Sequence, residues 1–162
     1  MKIETNIALV AEEGASLSSG SLRLYALPYG CIDLYNYDPL NRRSAVGIMV
    51  SKEYRRQGYA LAMLRALETQ QAASLHTLYA DIAESNTASI SLFRKAGYEE
   101  CGRFKEWLLV GDKYINTIRV QKILKENPYG VNDYRLTLLL LKEMPYGQFI
   151  KEGVLRNCLK KN

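Results

Sequence analysis

Apolar and polar positions lay out strands and helices in a definite order over most of the chain. Within 21–26, Leu22, Leu24 and Ala26 fall on one side and Arg23 and Tyr25 on the other, which predicts a strand. The turn Pro28-Tyr29-Gly30 separates it from a second strand over 31–37, so the two form a hairpin. Asp38-Pro39-Leu40-Asn41 turns the chain again into a strand over 44–50. Earlier, Ile7-Ala8-Leu9-Val10 predicts a short strand and 12–20 a loop. From 58 to 74 the spacing is helical, with Leu61, Met63, Leu64, Ala66 and Leu67 covering most of the surface, as for a helix laid on a sheet. Residues 75–83 alternate once more, Leu78, Ala80 and Ile82 against Tyr79 and Asp81. Strand, helix and strand in this order make a crossover with two parallel strands. Asn86 suits the N-cap of a helix over 87–96, and Gly97 suits its left-handed stop. Strand material follows over 99–104 and 105–110, a turn at Gly111-Asp112-Lys113, and a closing strand over 114–124. The predicted class is α/β, with a mixed, mostly antiparallel central sheet.

Residues 125–162 follow a different pattern. Asn127-Pro128-Tyr129-Gly130 is a break, and 133–144 and 148–159 carry helical spacing around Pro145-Tyr146-Gly147. The chain therefore divides into a domain at 1–124 and a helical extension at 125–162, packed on that domain or on a partner subunit. A second copy of the chain is a candidate partner.

At 162 residues, 48% of them hydrophobic and 24% charged, the chain is long enough for one domain with a real core. The net charge of +5 suits an anionic ligand, but it is too small and scattered for a nucleic-acid partner. Cys31, Cys101 and Cys158 are far apart and odd in number, which argues against a disulfide framework and against a metal site. That usage, with a start (Met1-Lys2-Ile3-Glu4) unlike a signal peptide, predicts a cytoplasmic protein. The apolar run 136–141 is far short of the roughly 20 residues of a membrane helix, so no membrane association is predicted.

The chemistry concentrates at 45–74. An apolar segment ending Ile48-Met49-Val50 gives way to the basic loop Arg55-Arg56-Gln57-Gly58, which opens into the helix through Tyr59 and Ala60. A helix amino terminus leaves backbone N–H groups unpartnered and carries the positive end of the helix dipole. Phosphate or pyrophosphate is the natural ligand there. Gly58 lets backbone approach an anion, Ala60 keeps the next turn small, and arginine holds phosphate oxygens in a fork. The alternative is an ordinary strand–helix connection with solvated arginines.

A second signal lies downstream: Asn86-x-x-Ser89-x-x-Leu92-Phe93-x-Lys95-x-Gly97-Tyr98, then Gly102-Arg103 and the turn before Tyr114. The two signals in this order resemble the GCN5-related N-acetyltransferase (GNAT) superfamily, closest to the branch of spermidine and ribosomal-protein amino-terminal acetyltransferases. The resemblance covers roughly 22–124. It implies the GNAT fold, with the parallel strands splayed apart and the amino-terminal part shortened, and it implies acetyl-coenzyme A as cofactor. The pyrophosphate would lie on Arg55, Arg56, Gln57, Gly58, Tyr59 and Ala60. The pantetheine arm would pair with Ile48, Met49 and Val50, and Asn86, Ser89 and Phe93 would line the same ligand.

The reaction implied is direct attack of a primary amine on the thioester, the amine being a small amine, a polyamine or a peptide amino terminus. A backbone N–H on the Met49–Val50 strand would hold the oxyanion. Such an amine has a pKa near 10.4, so a base is useful. Glu84 and Asp81 are candidates at the end of the second splayed strand, Asp33 on the hairpin is a third, and Glu106 could line the substrate side. A solvated carboxylate is the alternative for each. His76 suits an exposed structural role at a strand start. The family's usual acid is a tyrosine at the position of Phe93, which cannot donate a proton. Tyr98, Tyr79 or a water would substitute, or the thiolate would leave unassisted. The catalytic set from sequence is Glu84, Asn86 and Tyr98. Phe93 also motivates an alternative, a non-catalytic acyl-coenzyme A binding module.

Overall fold

The computed structural model describes residues 7, 9–11, 16–17 and 20–125. Among these residues, seven strands and two α-helices follow one another as β1 (Val10–Ala11), β2 (Leu22–Ala26), β3 (Gly30–Asp38), β4 (Arg43–Val50), α1 (Tyr59–Gln71), β5 (Thr77–Ala83), α2 (Thr87–Lys95), β6 (Glu99–Val110) and β7 (Lys113–Ile123). The strands form one sheet in the order β1-β2-β3-β4-β5-β7-β6. Every neighbouring pair is antiparallel except β4 and β5, which run parallel across the α1 crossover.

The alternation read from sequence sets the core. Leu22, Leu24, Ile32, Leu34, Val46, Leu78, Ala80, Ile82, Ile118 and Val120 project to one face, where Met63, Leu64 and Leu67 of α1 and Phe93 of α2 close over them. Met63, Leu64 and Leu67 have no exposed surface, and burying such a side chain stabilises by about 1.5–3 kcal/mol. Arg42 donates to the carbonyls of Ser74 and Ala73, which fastens the end of α1 to the turn before β4. Lys122 does the same for α2: its ammonium donates to Ala96 O and to Glu68 of α1, both at 2.6 Å.

Several boundaries differ from the sequence reading. The first strand is Val10–Ala11, paired with Tyr25 and Leu24, while Ile7 and Leu9 rest partly buried against the core. β5 begins at Thr77, because Leu75 is buried and the His76 backbone is bonded to Arg42 O and Leu124 N. The two strand pieces expected over 99–110 are one strand, with register shifts at Glu100/Gly102 and Phe104/Leu108. The extra residues bulge out of the ladder, and Glu106 takes a positive φ of 49° there. The helices expected over 133–144 and 148–159 lie outside the described residues.

The parallel ladder is short. Its partners are Arg43↔Thr77, Ser44↔Leu78 and Ala45↔Tyr79, and none follow. Among the described residues, β4 from Val46 onward pairs only with β3, and β5 from Ala80 onward only with β7. The strands diverge from Ala45 and Tyr79, and a gap opens between them toward their carboxyl ends.

Candidate active site at the strand divergence

One wall of the gap is the β5-facing edge of residues 46–50, whose backbone groups there have no strand partner among the described residues. Ile48 and Val50 are half-buried against the core and Met49 is 62% exposed. Beyond Val50 the chain makes a short 3-10 turn, Lys52–Tyr54, and enters the basic loop. Arg55 folds back and donates from Nε to Val50 O at 3.0 Å, which ties the loop to the strand end. Gln57 donates to Glu53 O at 2.7 Å. Arg56 and Gly58 both have positive φ, 61° and 90°. Gly58 is the N-cap of α1 and offers no capping side chain, and the first turn of α1 holds no acidic residue. The N–H groups of that turn therefore present an uncompensated positive end beside Arg55 and Arg56. A Cβ on Gly58 would meet nothing within 4 Å, so there is room for a ligand to approach the backbone.

Three tyrosines fix this loop. Tyr54 precedes it, Tyr59 follows it, and both touch Tyr29 of the β2–β3 hairpin. Tyr29 stacks on Tyr59 at 4.1 Å and meets Tyr54 edge-on at 5.1 Å. The ends of the loop are thus clasped to one ring. Sequence reasoning missed this contact. Its only local trace is the pair of tyrosines bracketing Arg55-Arg56-Gln57-Gly58, and the third ring comes from a distant hairpin.

The other wall ends at Glu84 and Asn86. Asn86 is the N-cap of α2, its Oδ1 accepting from Ser89 N at 3.1 Å, as the sequence predicts. Gly97 ends that helix with a φ of 88°. Bound at the loop and along the strand edge, a ligand would need a phosphate-bearing head and a long polar arm. The open helix end and unpaired β4 edge fit coenzyme A in this respect.

The profile of the Acetyltransferase (GNAT) family matches residues 19–98, which span β2 through α2. Residues 19–98 carry this family's domain. The acetyltransferase uses acetyl-coenzyme A as its donor, and its diverging parallel pair is the feature expected of the fold. Solved structures with a similar backbone include a ribosomal L7/L12 alpha-N-protein acetyltransferase (TM-score 0.63, 17% identity, 67% of this chain and 72% of that one). Another is a spermidine N-acetyltransferase from Vibrio cholerae in complex with coenzyme A and spermine (TM-score 0.63, 17% identity, 67% of this chain and 69% of that one). A third is the ribosomal-protein enzyme in complex with coenzyme A (TM-score 0.62, 17% identity, 67% and 64%). At these identities the likeness is one of fold. Among curated proteins, no sequence matches this chain.

The acetyltransferase's candidate acids and bases are dispersed. Phe93 is buried, with its ring edge-on to Tyr98 at 4.9 Å. Tyr98 is 3% exposed, and its hydroxyl lies in the core, where Glu68 of α1 is close enough to act on its ionisation. Neither the Tyr98 hydroxyl nor Glu68 Oε1 completes a well-formed hydrogen bond. Burial first, then the Glu68 charge, pushes the phenol well above the usual tyrosine range. Tyr79 lies under the Arg119 guanidinium at 4.6 Å. The three candidate bases, Asp81, Asp33 and Glu84, each have a cation. Asp81 takes Arg119 through two bonds of 2.7 Å, and Asp33 takes Arg23 at 2.6 and 3.2 Å. Glu84 accepts from Arg103 at Oε1 and from Asn116 Nδ2 at 2.8 Å at Oε2. Glu106 is exposed and its backbone N donates to Asn116 Oδ1. His76 is exposed at the start of β5 and is held through its backbone. Among the described residues no cluster of His, Cys, Asp or Glu could hold a metal, and no helix is long and apolar enough to cross a membrane.

Proposed function

We propose that this acetyltransferase acylates a primary amine, either a small amine such as a polyamine or the amino terminus of a peptide, by direct attack in the gap between β4 and β5. The observation that carries the reading is the end of the parallel ladder at Ala45↔Tyr79, which leaves a strand edge beside an uncapped, basic helix amino terminus. Arg55, Arg56 and the backbone from Gly58 to Ala60 hold the diphosphate, and the β4 edge at Ile48, Met49 and Val50 pairs with the amide arm. Asn86 spends Oδ1 on its cap and keeps Nδ2 as a donor toward the ligand, beside Ser89. Acetyl-coenzyme A supplies an acyl group activated as a thioester.

The pairing pattern supports one choice of proton-handling groups. A carboxylate has about four acceptor sites, so Glu84 keeps lone pairs for water after its bonds to Arg103 and Asn116. Glu84 then takes the amine's proton through a water. A coenzyme thiol resembles cysteine, with a pKa near 8.5, so its departure needs only water as a proton source. That suits a site in which Phe93 has no hydroxyl and the Tyr98 hydroxyl is in the core beside Glu68. The free thiols of Cys31 and Cys101 fit a reducing, cytoplasmic setting. Calorimetry with acetyl-coenzyme A, followed by thiol-release assays with spermidine, amino acids and short peptides, tests the reading. Tight binding without transfer to any amine would favour a non-catalytic acyl-coenzyme A binding module instead.

A further inference from the structure

The sheet face turned away from α1 and α2 carries a polar and aromatic cluster at the point where β4 and β5 part. Tyr35 of β3 pairs with Ala45, the last β4 residue joined to β5. Its ring leans along β4 over the next residue of the same face, Gly47. A Cβ built on Gly47 would lie 3.5 Å from Tyr35 Cε1. The ring therefore lies close along the strand that borders the gap. Its hydroxyl responds to Asp81 and Tyr79 of β5 and to Arg119 of β7, on the far side of the gap, and to Asp33 on its own strand. Burial and the Asp81 charge raise its pKa, so the phenol stays protonated at neutral pH.

The placement is built. The buried hydroxyl of Ser44 donates to Tyr35 O at 2.9 Å, and pins the strand at this residue. Immediately afterwards the β3–β4 register shifts, and Asn36 takes a φ of 51°. Bulges beside active sites commonly re-aim a side chain. Tyr35 retains 36% exposure, enough for a substrate to touch it.

Resting on the acetyltransferase reading above, we infer that Tyr35 forms the acceptor-binding subsite, its hydroxyl oxygen accepting an N–H of the incoming primary amine at the divergence of β4 and β5. With one N–H so held, the nitrogen lone pair is left free. The nitrogen bonds to the acyl carbon as the carbon–sulfur bond breaks, the electron pair leaves on sulfur, and the nitrogen's extra proton passes to water. The Asp33–Arg23 and Asp81–Arg119 pairs hold the surroundings near neutrality, so the hydroxyl supplies direction without a net field.

The test uses Tyr35→Phe, which keeps the ring over Gly47 and removes only the oxygen. In protein labelled with 13C at the tyrosine ε carbons, the signal missing from Tyr35→Phe identifies Tyr35. That signal is expected to shift on titration of the coenzyme A-bound protein with spermidine or with a tetrapeptide bearing a free α-amino group. Steady-state kinetics with the same amines should show kcat/KM for the amine about tenfold lower in Tyr35→Phe, the worth of one hydrogen bond, with acetyl-coenzyme A affinity unchanged. A signal that does not move, or kinetics insensitive to Tyr35→Phe, overturns the assignment while leaving the acetyltransferase reading in place. A wild-type chain that transfers acetyl to neither amine overturns both.

Discussion

Tyr29 stacks on Tyr59 at 4.1 Å with the rings 14° apart, joining the β2–β3 hairpin to the first residue of α1. The contact spans the basic loop and fixes the direction in which the helix opens. Offset stacking contributes about 0.5–1.5 kcal/mol beyond area burial. Replacing Tyr29 by Leu keeps bulk but loses the stack. Acetyl-coenzyme A affinity should fall about three- to tenfold by calorimetry, while Tyr29→Phe should bind as the parent does.

Gly58 sits at a φ of 90° with open space around it. The cost of Gly58→Ala is therefore backbone strain alone, about 1–2 kcal/mol. Urea unfolding should show that loss as a lower midpoint at unchanged slope. Acetyl-coenzyme A binding should weaken further, since the new methyl group occupies the space above the helix end.

Asn86 has two separable tasks. Asn86→Ala removes the bond to Ser89 N and should cost about 1 kcal/mol of stability. Asp restores an oxygen cap but has no amide donor. Asn86→Asp should unfold like the parent yet bind acetyl-coenzyme A more weakly. Equal affinity would show that the side chain serves only the helix.

Tyr98 gives a pH signature. Its folded pKa lies above the unfolded value of about 10, so the folded state holds the proton more tightly. The stability this contributes is complete below about pH 10 and is lost as pH rises above it toward the folded pKa. Chemical denaturation at successive alkaline pH values should therefore fall more steeply for the parent than for Tyr98→Phe. The same variant should retain its turnover at neutral pH if, as proposed above, the Tyr98 hydroxyl buried beside Glu68 takes no part in proton transfer. A large loss of kcat would restore Tyr98 as the acid.

Much of the scaffold was legible from single residues. Alternation in 21–26 and 75–83 specified which side chains enter the core, and Asn86 and Gly97 marked the ends of α2 through their own conformational chemistry. The loop at Arg55–Gly58 was legible for the same reason: its requirements are local. What escaped is what depends on pairing between distant segments. The splay of β4 from β5 was legible only through the family resemblance; nothing in 46–50 alone says that it begins after Ala45. The ring of Tyr35 becomes relevant only once Gly47 is set beside it by register. Glu84 and Asp81 read as available carboxylates in sequence because their cations, Arg103 and Arg119, arrive from β6 and β7. Tyr98 read as one replacement acid beside Tyr79 and water, and Glu68, which acts on its ionisation, lies thirty residues earlier in the chain.

The parallel seam of three residue pairs also bears on motion. It divides the sheet into two leaves, β1 to β4 and β5 to β7, with a spine only about two residue spacings long. The chain itself crosses that spine through α1, held at its far end by Arg42. A small rotation about the spine would widen or narrow the gap while leaving each leaf's own ladder intact. Amides at Arg43 to Ala45 and Thr77 to Tyr79 would then report on opening, and those in the middle of β3 and β7 on global unfolding.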